Sequence, residues 1–305
     1  MDNVLVIGSG FLGGNIVNEF RNNGIQVIGT NYNKNSSGEI YFDITNMDSI
    51  VSCVKKYSPQ VIINCAANVN VDDLENNEKL AFSINAHGAE NIARVCKNNK
   101  IRLLHISSDA VFDGKKGMYV EEDVMNPINI YAKSKMLAEK LISENLENYV
   151  IIRTNFYGFH KQDKFLFNWI LSKLKNNEKF PGFNDVFFNP LEVTNLSKMI
   201  YELSGKKFCG ILHLSSDEIF NKFEFATKIC EFFGFDSNLI RESSIDDLDL
   251  NAKRPKNTTL VNNKAKELLD TKIQKLDSWL YDIKNRVCIK KRNKNMVTEK
   301  ILDYV

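Results

Sequence analysis

Short apolar runs alternate with stretches of helical periodicity through the first half of the chain. VLVIGS (4–9), QVIGTN (26–31), VIINCA (61–66), RLLHIS (102–107) and YVIIRTN (149–155) are apolar at successive positions, as strands covered on both faces are. Between them, residues near 12–22, SIVSCVKKY (49–57), LAFSINAHGAENIARVCKNN (80–99) and INIYAKSKMLAEKLISEN (128–145) carry apolar residues at helical spacing. This alternation predicts an α/β fold built on a doubly wound, Rossmann-like parallel sheet.

From about residue 156 the pattern loosens. Phe, Trp and Asn accumulate in KFLFNWILSKLKNN and FNDVFFNPLEV, before one more strand, GILHLSS (210–216), and a helix, FEFATKICEFFGF. The expected organisation is a dinucleotide-binding domain over 1–155, with 190–216 returning to its sheet. Residues 156–283 would form mainly a smaller, mixed substrate-binding lobe. A basic tail, 284–305, contains KNRVCIKKRNK and reads as a solvated terminus.

Composition narrows the function. A 305-residue chain, 43% hydrophobic and 26% charged, can bury a core without disulfides or metals. A formal charge of +2 gives no case for nucleic acid or an anionic membrane as partner. The six cysteines form no CxxC pair and there are four histidines, so no metal site is expected. Cys53, Cys65 and Cys96 lie in apolar or helical surroundings and read as buried reduced thiols, which suits a cytoplasmic protein. The N-terminal stretch lacks the basic region and cleavage site of a signal peptide, and no run approaches the roughly 20 apolar residues of a membrane span.

Three groups of residues carry candidate chemistry. Gly8-Ser-Gly10-Phe11-Leu12-Gly13 lies between the first strand and the first helix. There glycines allow a tight turn, close passage of a pyrophosphate and close helix–strand packing. The second strand ends Thr30-Asn31-Tyr32-Asn33-Lys34, with no acid for a ribose 2′-hydroxyl. An acid there would repel a 2′-phosphate, so its absence favours NADP(H) and leaves NAD(H) open. Lys34 either adds attraction or is a solvated loop lysine. Tyr131 and Lys135 are four apart and share a helix face, where the cation is expected to lower the phenol's pKa. The same spacing also fits an ordinary amphipathic helix. The fourth strand ends in Ser107-Ser108-Asp109, which either caps the strand or delivers chemistry.

The order of these features resembles the extended, nucleotide-sugar branch of the short-chain dehydrogenase/reductase superfamily, and within it the dTDP-4-dehydrorhamnose reductase family. The resembling segments are FDIT (42–45), NCAANVNVDDLE (64–75), INAHGAENIARVC (84–96), HISSDAVFDG (105–114), NPINIYAKSKMLAE (126–139), IIRTNFYG (151–158) and RPKNTTLVN (254–262). The resemblance implies a catalytic set of Ser108, with Ser107 second, Tyr131 and Lys135, the last also holding the nicotinamide ribose. It implies that Asp43 and Ile44 flank the adenine and that Ala66 and Ala67 give the cofactor close passage. Asp109, Asn155 and Arg254 would face a nucleotide-sugar substrate. Asp43 also fits a helix cap and Arg254 a surface arginine.

Two departures matter. The glycine motif is one residue tighter than the GxxGxxG usual in this superfamily. Asp109-Ala110 stands where the 4,6-dehydratases of the branch carry an acid pair, which argues against water elimination. The metal-linked dimer contact of some relatives is not traceable, although the resemblance allows a homodimer. The implied activity is reduction of a nucleotide-linked 4-keto-6-deoxy sugar in polysaccharide biosynthesis. The alternatives are a nucleotide-sugar epimerase with tightly held NAD, or a non-catalytic NADP-binding subunit like the beta subunit of methionine adenosyltransferase.

Overall fold

Seven parallel strands form the centre of the structure, a computed structural model that describes residues 3–32, 40–160 and 165–284. In chain order they are β1 (Asn3–Ile7), β2 (Gln26–Asn31), β3 (Ile40–Tyr41), β4 (Val61–Asn64), β5 (Arg102–Ile106), β6 (Tyr149–Thr154) and β7 (Gly210–Leu214). Their order across the sheet is β7-β6-β5-β4-β1-β2-β3, and every pairing is parallel. The order reverses between β1 and β4. In a doubly wound sheet such a reversal opens a crevice at the carboxyl ends of the strands.

The long helices are α1 (Phe11–Asn22), α2 (Met47–Tyr57), α3 (Gly88–Asn99), α4 (Ile130–Asn145), α5 (Leu166–Lys175), α6 (Val193–Gly205) and α7 (Lys222–Phe233). Alternate side chains of β1 go to opposite faces, as the pleat dictates. Val4 and Val6 join a core with Ile16, Leu196 and Met199 from α1 and α6. Leu5 and Ile7 join another with Ile50, Ile92 and Ile142 from α2, α3 and α4. This two-sided burial explains why the strands read as unbroken apolar runs. A third core, including Tyr157, Phe167, Phe188, Phe225 and Trp279, lies in the second half of the chain. It is stitched by short pairings, Phe180–Phe183 with Ile240–Ser243 and Phe187–Phe188 with Phe220–Asn221.

The stretch read as one helix over 80–99 is not continuous. It opens with Glu78–Ala81, passes through a π-helical turn over Phe82–His87, and only then becomes α3. The wide turn places Asn85 inward, and its amide is fully used. Asn85 Oδ1 accepts from Asn68 N–H at 2.7 Å, and Nδ2 donates to Asn68 O and to Ser134 Oγ, each at 3.0 Å. The loop after β4 is thereby tied to α4. Cys53 and Cys96 are buried, whereas Cys65, at the end of β4, is only partly so. Lys34 and the tail beyond residue 284 lie outside the described residues. Among the described residues, no helix is long and apolar enough to cross a membrane.

Candidate active site

The glycine turn is built by steric necessity. Gly8 has a φ of +83°, and a Cβ on it would come within 2.7 Å of Ala66 N across the reversal between β1 and β4. A Cβ on Gly13 would lie 2.2 Å from Gly8 O, so only glycine lets α1 start against β1. Gly10 is different, because a Cβ there would meet nothing within 4 Å. Packing does not demand that glycine. The free space at the helix N-terminus is where a phosphate of a bound nucleotide can approach the backbone.

Neighbouring strands hold this turn in place. Gly8 N–H and Ser9 N–H both donate to Thr30 O, at 3.1 and 2.8 Å, which pins the turn to the end of β2 beside Asn31. Ala66 N–H donates to Asn64 Oδ1 at 3.1 Å, with Ala67 next along the same crevice edge. Phe11 and Leu12 bury their side chains in the sheet core, so what they offer the crevice is backbone. Asp43 does not cap α2. Asn46 does, while Asp43 Oδ1 closes its own turn by accepting from Thr45 N–H and Oγ1 at 2.9 and 2.7 Å. Ile44 is buried against Gly88, and its carbonyl accepts from Asn91.

The second group gathers at the ends of β5 and β6. Asn129 caps α4, its Oδ1 accepting from Ala132 N–H at 2.9 Å while its Nδ2 donates to Lys253 O at 2.8 Å. That cap fixes the first turn of the helix, and so Tyr131, against the loop carrying Arg254. The Tyr131 hydroxyl is hydrogen-bonded with Ser108. Lys135, one turn on and buried, donates from Nζ to Ile106 O at 2.7 Å and lies 3.3 Å from His105 Nε2. Ser107 is committed elsewhere, since its hydroxyl donates to the buried Glu139 carboxylate.

The charges do not follow the simple expectation for a Tyr–Lys pair. Burial, reinforced by the Asp109 carboxylate, pushes Tyr131 up to about 12 against the pull of its Ser108 bond. Burial holds Lys135 down to about 8, with Glu139 and Cys65 pulling it back up. The Lys135 Nζ is itself turned onto Ile106 O and His105. The pair therefore presents a neutral phenol beside a weakly held cation.

Asp109 organises the next layer. Its Oδ1 accepts from Ser108 Oγ at 3.1 Å, and its Oδ2 from Asn155 Nδ2 at 3.0 Å and Thr258 Oγ1 at 2.7 Å. Asp109, Asn155, Thr258 and Arg254 line one cavity of about 470 Å³, whose other walls are largely apolar, among them Trp169, Phe183 and Leu250. Arg254 is not a free surface arginine. It donates to Asp72 Oδ2 and to Ala252 O, both at 2.8 Å. Thr258 and Asn85 were not singled out by sequence reasoning, although each lies in a segment, RPKNTTLVN and INAHGAENIARVC, that carries the family resemblance.

A parallel sheet reversing at a glycine turn, with Ser, Tyr and Lys at its carboxyl edge, defines the extended short-chain dehydrogenase/reductase class. Within that class, the family model described as RmlD substrate binding domain matches residues 1–289, and the chain belongs to this family. It is 32% identical over 269 residues to the "Probable low-salt glycan biosynthesis reductase Agl14" of Haloferax volcanii, covering 85% of this chain and 90% of that one. It is 26% identical over 272 residues to methionine adenosyltransferase 2 subunit beta of Danio rerio, covering 84% and 82%. The crystal structure of dTDP-4-dehydrorhamnose reductase from Bacillus anthracis in complex with NADP superposes with a TM-score of 0.84. The two sequences are 28% identical, and the match covers 92% of this chain and 98% of that one.

Proposed function

We propose that this protein is an NADPH-dependent reductase of a nucleotide-linked 4-keto-6-deoxy sugar, with Tyr131 as proton donor. The observation that carries the reading is the cluster at the carboxyl ends of β5 and β6, where Tyr131 adjoins Ser108, Ser108 bonds the Asp109 carboxylate on the cavity wall, and Lys135 reaches Ile106 O. The NADP complex of the similar dTDP-4-dehydrorhamnose reductase and the reductase named in Haloferax volcanii support it.

The crevice fits a dinucleotide. Open space at Gly10, the close Gly8–Gly13 packing and the start of α1 together suit a pyrophosphate. Asn31 in place of an acid at the end of β2 leaves a 2′-phosphate unrepelled. Asp43 and Ile44 would take the adenine, Ala66 and Ala67 the passage across the reversal, and Lys135 the nicotinamide ribose. When bound, the reduced cofactor supplies a hydride.

The chain's own residues then supply position and a proton. Tyr131, held near 12, keeps its proton at neutral pH and can release it to an oxygen that gains negative charge. Ser108, fixed by Asp109 on one side and bonded with Tyr131 on the other, orients the same oxygen. Asn155 and Thr258 hold Asp109, and Arg254 would meet the diphosphate. Residues 156–283, which give most of the apolar cavity wall, would act as the substrate lobe.

The test is NADPH oxidation against a panel of nucleotide 4-keto sugars, with Tyr131→Phe as control. Turnover by the wild type alone supports the reading. The similarity to methionine adenosyltransferase 2 subunit beta supports a second one, a non-catalytic NADP-binding subunit. Tight NADPH binding with no turnover on any sugar of the panel would favour it.

A further inference from the structure

We propose that Lys222 is a substrate-binding residue whose ammonium, held over the Phe188 ring on the wall of the cavity shared with Asp109 and Asn155, takes an oxyanion of the substrate. This rests on the reading of that cavity as a sugar-nucleotide site.

The position is an expensive one for a cation. Lys222 is the first residue of α7, where the positive end of the helix dipole disfavours a positive side chain. Its backbone is locked there, because Lys222 N–H donates to Val186 O at 3.1 Å and Asn221 with Glu224 forms a capping box. The side chain turns inward, and Nζ stands 3.1 Å from the centroid of Phe188. Among the described residues, no hydrogen bond or ion pair satisfies that ammonium. Burial drives its pKa down to about 7, with Asp109 pulling it back up. A lysine kept in such surroundings needs a partner that brings acceptors with it.

Asp109 is not that partner. Three neutral donors, Ser108, Asn155 and Thr258, already occupy its oxygens, and it forms no ion pair with Lys222. Phe188 satisfies one face of the ammonium by cation–π attraction and leaves its N–H bonds for the cavity. Arg254 lines the same cavity but is held by Asp72 and Ala252. Lys222 therefore adds to the cavity an ammonium whose N–H donors have no protein acceptor among the described residues, beside an Arg254 whose guanidinium is already oriented by two bonds. Two groups share the chemistry it would take, the diphosphate and an acidic substituent on the sugar.

The experiment compares wild type, Lys222→Met and Lys222→Arg. The measurements are calorimetric affinity for dTDP, UDP, UDP-glucose, UDP-glucuronic acid and NADPH, and steady-state reduction of dTDP- and UDP-linked 4-keto-6-deoxyglucose. Lys222→Met should raise KM tenfold or more while lowering kcat less than threefold, with NADPH affinity unchanged, and Lys222→Arg should recover most of the loss. If dTDP or UDP binding weakens in parallel, the oxyanion is the diphosphate. If nucleoside diphosphate binding holds while Lys222→Met weakens calorimetric binding of UDP-glucuronic acid but not of UDP-glucose, the oxyanion is a carboxylate on the sugar. An active wild type whose KM, diphosphate affinity and UDP-glucuronic acid affinity are all matched by Lys222→Met overturns the role of Lys222 and leaves the reductase standing. An Arg variant as impaired as the Met variant also overturns it, since charge would then not be what matters. A wild type that binds neither dTDP nor UDP and reduces no keto sugar overturns both readings together.

Discussion

At Tyr131 the chain places a half-buried tyrosine, its phenol against one hydroxyl, Ser108, and near one carboxylate, Asp109. Removing only the phenolic oxygen keeps the ring's packing and takes away the proton. Tyr131→Phe should therefore lower kcat by about a hundredfold to ten-thousandfold, the usual worth of a positioned acid, while NADPH affinity stays within twofold of wild type. Stopped-flow or steady-state NADPH oxidation and fluorescence titration measure the two effects separately. Lys135 sets a second expectation. Its pKa is lowered to about 8 and that of Tyr131 raised to about 12, so between these values only the lysine loses its proton. The reaction needs that cation, so activity is present below about 8 and is lost as pH rises through it. A profile of kcat/KM should show an alkaline limb near pH 8. The limb should move upward or vanish in Lys135→Arg, whose guanidinium does not titrate in this range.

At the scale of elements, the two glycines of the β1–α1 turn separate folding from binding. Gly13→Ala would put a methyl 2.2 Å from a backbone carbonyl that cannot retreat. It should cost on the order of 1–3 kcal/mol of stability and lower the melting temperature along with cofactor affinity. Gly10, with nothing within 4 Å of a Cβ, should accept alanine at a much smaller loss of melting temperature than Gly13. Its cofactor affinity should nevertheless fall tenfold or more, because the methyl occupies the space a pyrophosphate needs. Thermal unfolding beside NADPH titration of both variants tests the contrast, and two equally stable, equally tight binders would sink it. The glycine motif was legible because steric demand is written in single residues. The π turn over Phe82–His87 was not, since its one extra residue leaves the apolar spacing of 80–99 looking helical. Its cause is a contact between distant segments, Asn85 with Asn68 and Ser134.

Over the whole molecule, the sheet was legible because burial on both faces forces unbroken apolar strands. The second half was less so, its core being built from short pairings and aromatic clusters with no period of their own. Arg153 shows the limit best. It sits inside the apolar run YVIIRTN, and nothing local says why a strand buried on both sides would hold a cation. The structure supplies the reason. Arg153 Nε donates to both Glu139 oxygens at 3.1 Å and its second terminal nitrogen to Oε2 at 2.8 Å, while Nη1 donates to Glu121 O at 3.2 Å and lies 3.3 Å from His213 Nε2. Glu139 also accepts from Ser107 and belongs to α4, one turn beyond Lys135. One buried ion pair thus joins β5, β6 and β7 to the helix that carries Tyr131 and Lys135. Breaking such a pair from one side leaves an uncompensated buried charge, at a cost of about 3–5 kcal/mol. Arg153→Met should therefore unfold at much lower urea than wild type. Arg153→Met combined with Glu139→Leu, which removes both charges, should recover most of the loss. If the double variant is instead less stable than wild type by the sum of the two single effects, the pair is not coupled and α4 is held by its packing alone. Should the double variant regain stability but not turnover, the ion pair serves to set the register of α4, and with it the placing of Tyr131 against Ser108.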